Sequence, residues 1–202
     1  MKKGGILIIG IVTGVIIAFL AIILTIWGIY KYNGLVNRDE IVNQAWADVE
    51  TQYQRRADLI PNLVATVKGY AEHEKGTLEA VVEARAKATS INLNVDELDE
   101  ESIAKYQEAQ SQLSSALGRL IAVSENYPEL KANEQFSELQ AQLEGTENRI
   151  NAARQKYNGV VKDYNVSVRS FPGNIFASMF GFARRPEFKA EAGAETAPKV
   201  SF

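Results

Sequence analysis

The sequence predicts an all-α protein, with an N-terminal transmembrane helix followed by a long antiparallel helical bundle. Three observations carry that expectation. An uncharged run from Ile6 to Tyr30 is long enough to cross a bilayer. After it come three apolar stripes whose members recur at alternating steps of three and four. β-branched residues fall either inside the uncharged run or at helical spacing, so little reads as strand.

Composition removes most catalytic chemistry. The 202 residues include no cysteine and one histidine, and the formal net charge is -3. Without cysteine there is no disulfide framework, thiol nucleophile, cysteine-ligated metal or lipidated N-terminal cysteine. A lone histidine leaves no poly-histidine metal site within one chain, so neither a metal nor a cofactor is expected. Once Lys2 and Lys3 are set aside, the remaining chain carries 20 basic and 25 acidic residues, a balance of -5. Nucleic acid is therefore not an expected partner.

The run from Ile6 to Tyr30 has 25 residues, about 37 Å as a helix, against a hydrocarbon core of about 30 Å. A cleaved signal peptide has a shorter apolar region followed by a small-residue cleavage site, whereas here the run continues to Trp27 and Tyr30. Residues 1–31 are thus expected to be a retained, single-pass cell-membrane anchor. Trp27, Tyr30 and Tyr32, followed by or flanking Lys31, suit the headgroup level. For orientation, Lys2 and Lys3 before the segment tie with Lys31 and Arg38 after it. The α-amino group, with Asp39 and Glu40 diluting the far side, tips the expectation towards an extracytoplasmic bundle.

In the soluble part, Val42, Ala45, Val49, Tyr53, Ala57, Ile60, Leu63, Val67 and Tyr70 form the first stripe. Its helix is expected from near Asp39 to Ser90, with Gly76 a weak spot. Pro61 lies inside it and removes one backbone hydrogen bond, which predicts a kink or split between Asp58 and Pro61. A second helix is expected over 100–126, closed by the turn at Asn126-Tyr127-Pro128. The third stripe, from Phe136 to Tyr164, averages 3.5 residues per step, the seam of packed helices. Asn133 is its candidate N-cap, and Phe171-Pro172-Gly173 ends it. Residues 32–182 are thus expected to form the bundle, with 183–202 an extended or disordered tail rich in Ala, Glu, Lys, Pro and Gly.

Several stretches along the chain resemble the LemA family of bacterial membrane proteins. YNGLV at 32–36 follows the anchor, and then come AW at 45–46, QYQRRADLIPNLV at 52–64 and VKGYAEHEK at 67–75. Further on are SALGRL at 115–120, ENYPELKAN at 125–133 and LQAQLEGTENRI at 139–150, and last SFPGNIFASMFGF at 170–182. The resemblance covers almost the whole chain, the anchor matching only in kind. It implies a membrane helix carrying a helical bundle, and it implies no enzymatic activity.

Four constellations are candidate sites or registers. Arg55, Arg56 and Asp58 precede Pro61, where a kink would expose a notch with arginine forks for a partner's carboxylates or phosphates. The plainer expectation is that one arginine pairs with an acid on a neighbouring helix and that Asp58 pairs locally or caps. Glu72, His73 and Glu74 do not converge, because adjacent helix positions point about 100° apart. Gly145 in the third seam predicts a close helix approach, since glycine there costs about 1 kcal/mol against alanine. Thr146 beside it is a candidate for a buried register-setting hydrogen bond. The densest apolar cluster outside the anchor spans 171–182 and includes Phe176, Met179 and Phe180, candidate partner-binding residues. Two readings stand for it: a short helix lying on membrane or partner, and a segment folding back to close the bundle.

The function expected is a non-enzymatic, membrane-anchored scaffold of the bacterial cell envelope, binding other envelope proteins or copies of itself. The alternative is an enzyme or enzyme accessory at the membrane surface that uses the Arg55, Arg56 and Asp58 neighbourhood.

Overall fold

The computed structural model describes residues 2–95 and 98–189, and all regular structure among them is helical. The principal elements are α1 (Lys2–Lys68), α2 (Lys75–Ser90), α3 (Glu100–Val123), the short α4 (Pro128–Lys131), α5 (Glu134–Arg169) and α6 (Gly173–Phe180). They divide into two compact units. One holds residues up to Ile41 with Asp163–Arg184, and the other holds Val42–Lys162 with the segment from Arg185.

In the first unit, α1 is long and apolar enough to cross a membrane. Every residue from Ile11 to Trp27 is exposed; a helix with that much bare apolar surface needs lipid, not water, around it. α5 ends here, and the chain turns into α6 through Ser170–Pro172, with the Asn174 N–H donating to the Ser170 carbonyl at 2.9 Å. A Cβ at Gly173 would collide with the Ser167 carbonyl, so this turn admits no side chain at that position. α6 stops at Gly181, whose φ of 79° is the left-handed region, and the Phe182 N–H closes the helix end on the Ala177 carbonyl at 3.0 Å.

In the second unit the stripes become a core. Val42, Ala45, Val49, Tyr53, Ala57, Ile60, Leu63 and Val67 of α1 are all buried, whereas Tyr70, past the helix end, is not. Ile60 and Leu63 share one apolar cluster with Leu78 and Val81 of α2, Leu113 and Leu120 of α3, and Phe136 and Leu143 of α5. Pairings fix the helix directions. Trp46 meets Tyr106 and Arg56 meets Gln110, so α1 and α3 run the same way. Asp48 meets Lys156 and Arg56 meets Glu147, so α5 runs against α1. Ala88 meets Gln110 and Lys87 meets Gln112, so α2 runs against α3, and hence against α1.

Helix ends follow local chemistry. Asp99 caps α3 by accepting from the Ser102 N–H at 2.7 Å, while the Ser102 hydroxyl takes up the Asp99 N–H at 3.0 Å, a reciprocal box. Those bonds hold the Asp99 carboxyl below its usual range. Asn133 caps α5 as expected, accepting from the Phe136 N–H at 2.9 Å.

The structure corrects three expectations. α1 is not split at Pro61. It runs on to Lys68, and the interruption falls at 69–74, before α2. The reason is on the neighbouring helix: Pro61 cannot donate to the carbonyl four residues back, Ala57, and the Arg85 Nε donates to that carbonyl instead at 2.8 Å. A side chain thus takes the place of the missing amide. Arg85→Met is therefore expected to cost about 1–2 kcal/mol, the price of an orphaned carbonyl. In a Pro61→Ala background, where the amide returns, the same change should cost far less. A double-mutant cycle by urea unfolding measures this coupling.

The second correction concerns Gly145, where a Cβ would meet nothing within 4 Å, so no helix approaches closely there. Beside it Thr146 is fully buried, but its hydroxyl donates to the Gln142 carbonyl of its own helix at 2.7 Å and sets no register across helices. Third, the seam departs from the expected one at single positions: Ala153 and Val160 are only partly buried, while Tyr157, Val161 and Tyr164 are buried.

Candidate functional site

Arg55, Arg56 and Asp58 are separated by the helix rather than gathered. Arg55 and Asp58 are exposed, and Asp58 accepts from the Gln54 amide at 2.7 Å one turn away. Arg56 points the other way and is only 2% exposed. Its Nη1 donates to the Ser114 hydroxyl at 2.7 Å and to both Glu147 carboxylate oxygens at 2.8 and 3.1 Å. Its Nη2 donates to the Gln110 side-chain carbonyl at 2.6 Å and to the Gln110 backbone carbonyl at 3.2 Å. The guanidinium also lies over the Tyr53 ring, 5.2 Å from its centroid. This fork ties α1 to α3 and α5 and leaves no terminal nitrogen for an outside carboxylate or phosphate.

Beside this lock is a cleft of about 280 Å³ lined by Glu50, Tyr53, Gln54, Thr89, Asn92 and Gln110 among others. Burial pushes the Glu50 carboxyl above its usual range; the Trp46 indole N–H offsets part of that without reaching hydrogen-bond geometry. Burial likewise raises the Tyr106 and Tyr157 hydroxyls. Among the described residues, no group of three or more His, Cys, Asp or Glu side chains could hold a metal ion.

The most elaborate recognition in the molecule lies elsewhere, at the segment after α6. Of the tail expected from residue 183, residues 183–189 carry no assigned helix or strand and Phe188 is docked, and 190–202 lie outside the described residues. Phe188 is 5% exposed. It stacks on Trp46 with centroids 5.8 Å apart and rings 13° from parallel, meets Tyr157 edge-on at 5.4 Å, and lies under Arg154 at 5.0 Å. Trp46 in turn packs against Tyr157 at 5.5 Å and Tyr106 at 5.8 Å. The main chain is held as firmly. The Asn158 side-chain amide donates to the Phe188 carbonyl and accepts from the Phe188 N–H, each at 2.9 Å. The Tyr157 hydroxyl donates to the Pro186 carbonyl at 3.0 Å, and Gln107 and Arg154 donate to the Lys189 carbonyl at 2.8 and 3.3 Å.

The third site is α6, in the other compact unit. Phe176 meets Trp27 edge-on at 5.6 Å, and Tyr32 meets Phe180 at 4.8 Å and Phe182 at 5.9 Å. The segment thus folds back, and it does so onto the end of the membrane-crossing helix, at the level of its aromatic belt. Phe171, Ile175, Met179 and Phe180 remain 81%, 50%, 68% and 52% exposed. This apolar face continues the bare surface of the anchor.

Sequence reasoning found α6 from its apolar density and found Arg56 without its partners. It missed Arg85 and the Phe188 pocket. Pro61 signals an orphaned carbonyl but not which donor reaches it. A phenylalanine within a polar stretch was the available sign of an anchor point, and composition masked it.

The LemA family model matches residues 45–202. The chain is 26% identical over 198 residues to magnetosome protein MamQ 2 of Paramagnetospirillum magneticum, covering 90% of this chain and 71% of that protein. It is 26% identical over 199 residues to MamQ of Magnetospirillum gryphiswaldense, covering 90% and 72%. To protein LemA of Metamycoplasma hominis it is 27% identical over 147 residues, covering 73% of this chain and 64% of that protein. The family match takes in the Arg56 lock, Pro61 with its Arg85 donor, α6 and the Phe188 pocket; this helical, membrane-associated chain belongs to the LemA family.

Proposed function

We propose that the protein is a membrane-anchored scaffold of the cell envelope, non-enzymatic, that docks other envelope proteins or copies of itself. The observation that carries this reading is the exposed apolar face of α6, seated on Trp27 and Tyr32 at the end of the anchor. Phe176 and Phe180 hold the helix on the anchor, and Met179 with Phe171 and Ile175 is left for lipid and for the corresponding surface of a neighbouring membrane protein. The filled Arg56 fork supports a structural role for the polar residues around Pro61.

The enzymatic alternative has one observation in its favour, the cleft that contains Glu50 with its raised carboxyl.

The scaffold reading places the helical body outside the cytoplasm, where envelope partners can meet it. Lys87→Cys supplies the chain's sole thiol on an exposed position of α2. A membrane-impermeant maleimide is expected to label it in intact cells. Labelling only after lysis contradicts the placement and moves the partners to the cytoplasm.

A further inference from the structure

We propose that the pocket around Phe188 is a recognition site for an extended peptide, and that its trans ligand is the 185–189 segment of a second copy of this chain. The contacts have the form of peptide recognition rather than of core packing. One side chain, Phe188, enters an aromatic pocket made by Trp46 and Tyr157 and is covered by Arg154. The main chain of the segment is held as well: Asn158 reads both the N–H and the carbonyl of Phe188, Tyr157 reads the Pro186 carbonyl, and Gln107 reads the Lys189 carbonyl, while the Arg185 side chain donates to the Val95 carbonyl and the Lys189 ammonium lies 3.6 Å from Glu100. Extended ligands are captured in this way, main-chain bonds supplying affinity and one pocket supplying specificity. Between the helices such donors reach single carbonyls, such as those of Ala57 and Gln110, whereas here three carbonyls and one N–H of the same short segment are met.

The occupant seated there is the chain's own Arg185–Lys189, so the sequence that fits is one every copy carries. The cis segment competes at the high effective concentration of a tethered ligand. Confinement of copies by their anchors raises the concentration of the trans segment, and exchange of identical segments makes no new interface and loses none. The inference rests on the self-assembly reading above and gives it a second, independent contact.

The test replaces Phe188 with benzoylphenylalanine in the full-length chain, a change that keeps an aromatic ring in the pocket. Isotopically heavy and light chains are reconstituted together in lipid vesicles and irradiated. Cross-links between residue 188 and the 153–158 stretch of α5 are expected in heavy–light as well as like–like pairs. The free heptapeptide Ala-Arg-Arg-Pro-Glu-Phe-Lys should abolish the heavy–light species, and its Phe→Ala version should not. Heavy–light dimers detected by mass, with every 188 cross-link confined to a single chain, overturn this inference and leave self-assembly standing. Absence of dimers of any kind overturns both. Failure of the heptapeptide to compete shows that Phe188 is an inseparable part of the core and overturns the recognition site.

Discussion

Arg56→Met is expected to lower the unfolding free energy by about 3 kcal/mol, towards the bottom of the range for breaking a buried ion pair. Arg56 is 2% exposed, but the Glu147 side chain that it meets at 2.8 Å is 44% exposed, so water can solvate the abandoned carboxylate. Gln110 has no such recourse. It is 6% exposed, and its side-chain oxygen loses a 2.6 Å bond. Arg56→Lys should recover only part of the loss, since one ammonium cannot reproduce a fork that spans Gln110, Ser114 and Glu147. Replacing the set together, as Arg56→Met with Gln110→Leu and Glu147→Leu, should restore most of the stability, because no charge is then left buried alone. Urea unfolding of the full-length protein in detergent, followed by circular dichroism, measures all three. A single Arg56→Met variant as stable as the parent would show that the fork contributes nothing net.

The second large effect is expected at Trp46, which is 2% exposed and touches Tyr106, Tyr157 and Phe188. Trp46→Ala should cost about 3–5 kcal/mol, the range for deleting a large buried aromatic. In a chain of this size that lowers Tm by roughly 10 °C. Trp46→Phe, which keeps a ring for Phe188 to stack on, should cost much less. The same substitution carries a local signature. With its pocket opened, the 185–189 segment loses its anchor, and trypsin cleavage after Arg184 should quicken before global unfolding begins. Limited proteolysis read by mass distinguishes local release from general loss of structure.

These two sites show how unevenly the fold was legible. The stripes of α1, α3 and α5 could be read because a buried helix face imposes a period, and almost every residue in the first stripe is buried. The Asn133 cap could be read because its bond to Phe136 is local. What the sequence does not carry is which distant donor meets which acceptor. Pro61 was expected to kink or split α1; the helix is continuous there, and the carbonyl the proline leaves unserved is met by Arg85, 28 residues away. Gly145 looked like a packing device and faces open space, since glycine in a helix needs no neighbour to be tolerated. Phe188 sits in a stretch whose polarity reads as tail, and its burial depends on a pocket assembled from α1, α3 and α5. The pair at 55–56 was legible in one respect: one of Arg55 and Arg56 was expected to meet an acid on a neighbouring helix, and it is Arg56 that does so. That acid is Glu147, 91 residues on.

The claim that the protein is an assembling scaffold is tested most directly by native mass measurement of the full-length chain in lipid nanodiscs over a range of concentrations. The account predicts multiples of 22.3 kDa, reduced when Ile175→Asp and Met179→Asp together place charge on the exposed face of α6. A single species of one chain at every concentration, unchanged by those substitutions, would contradict it.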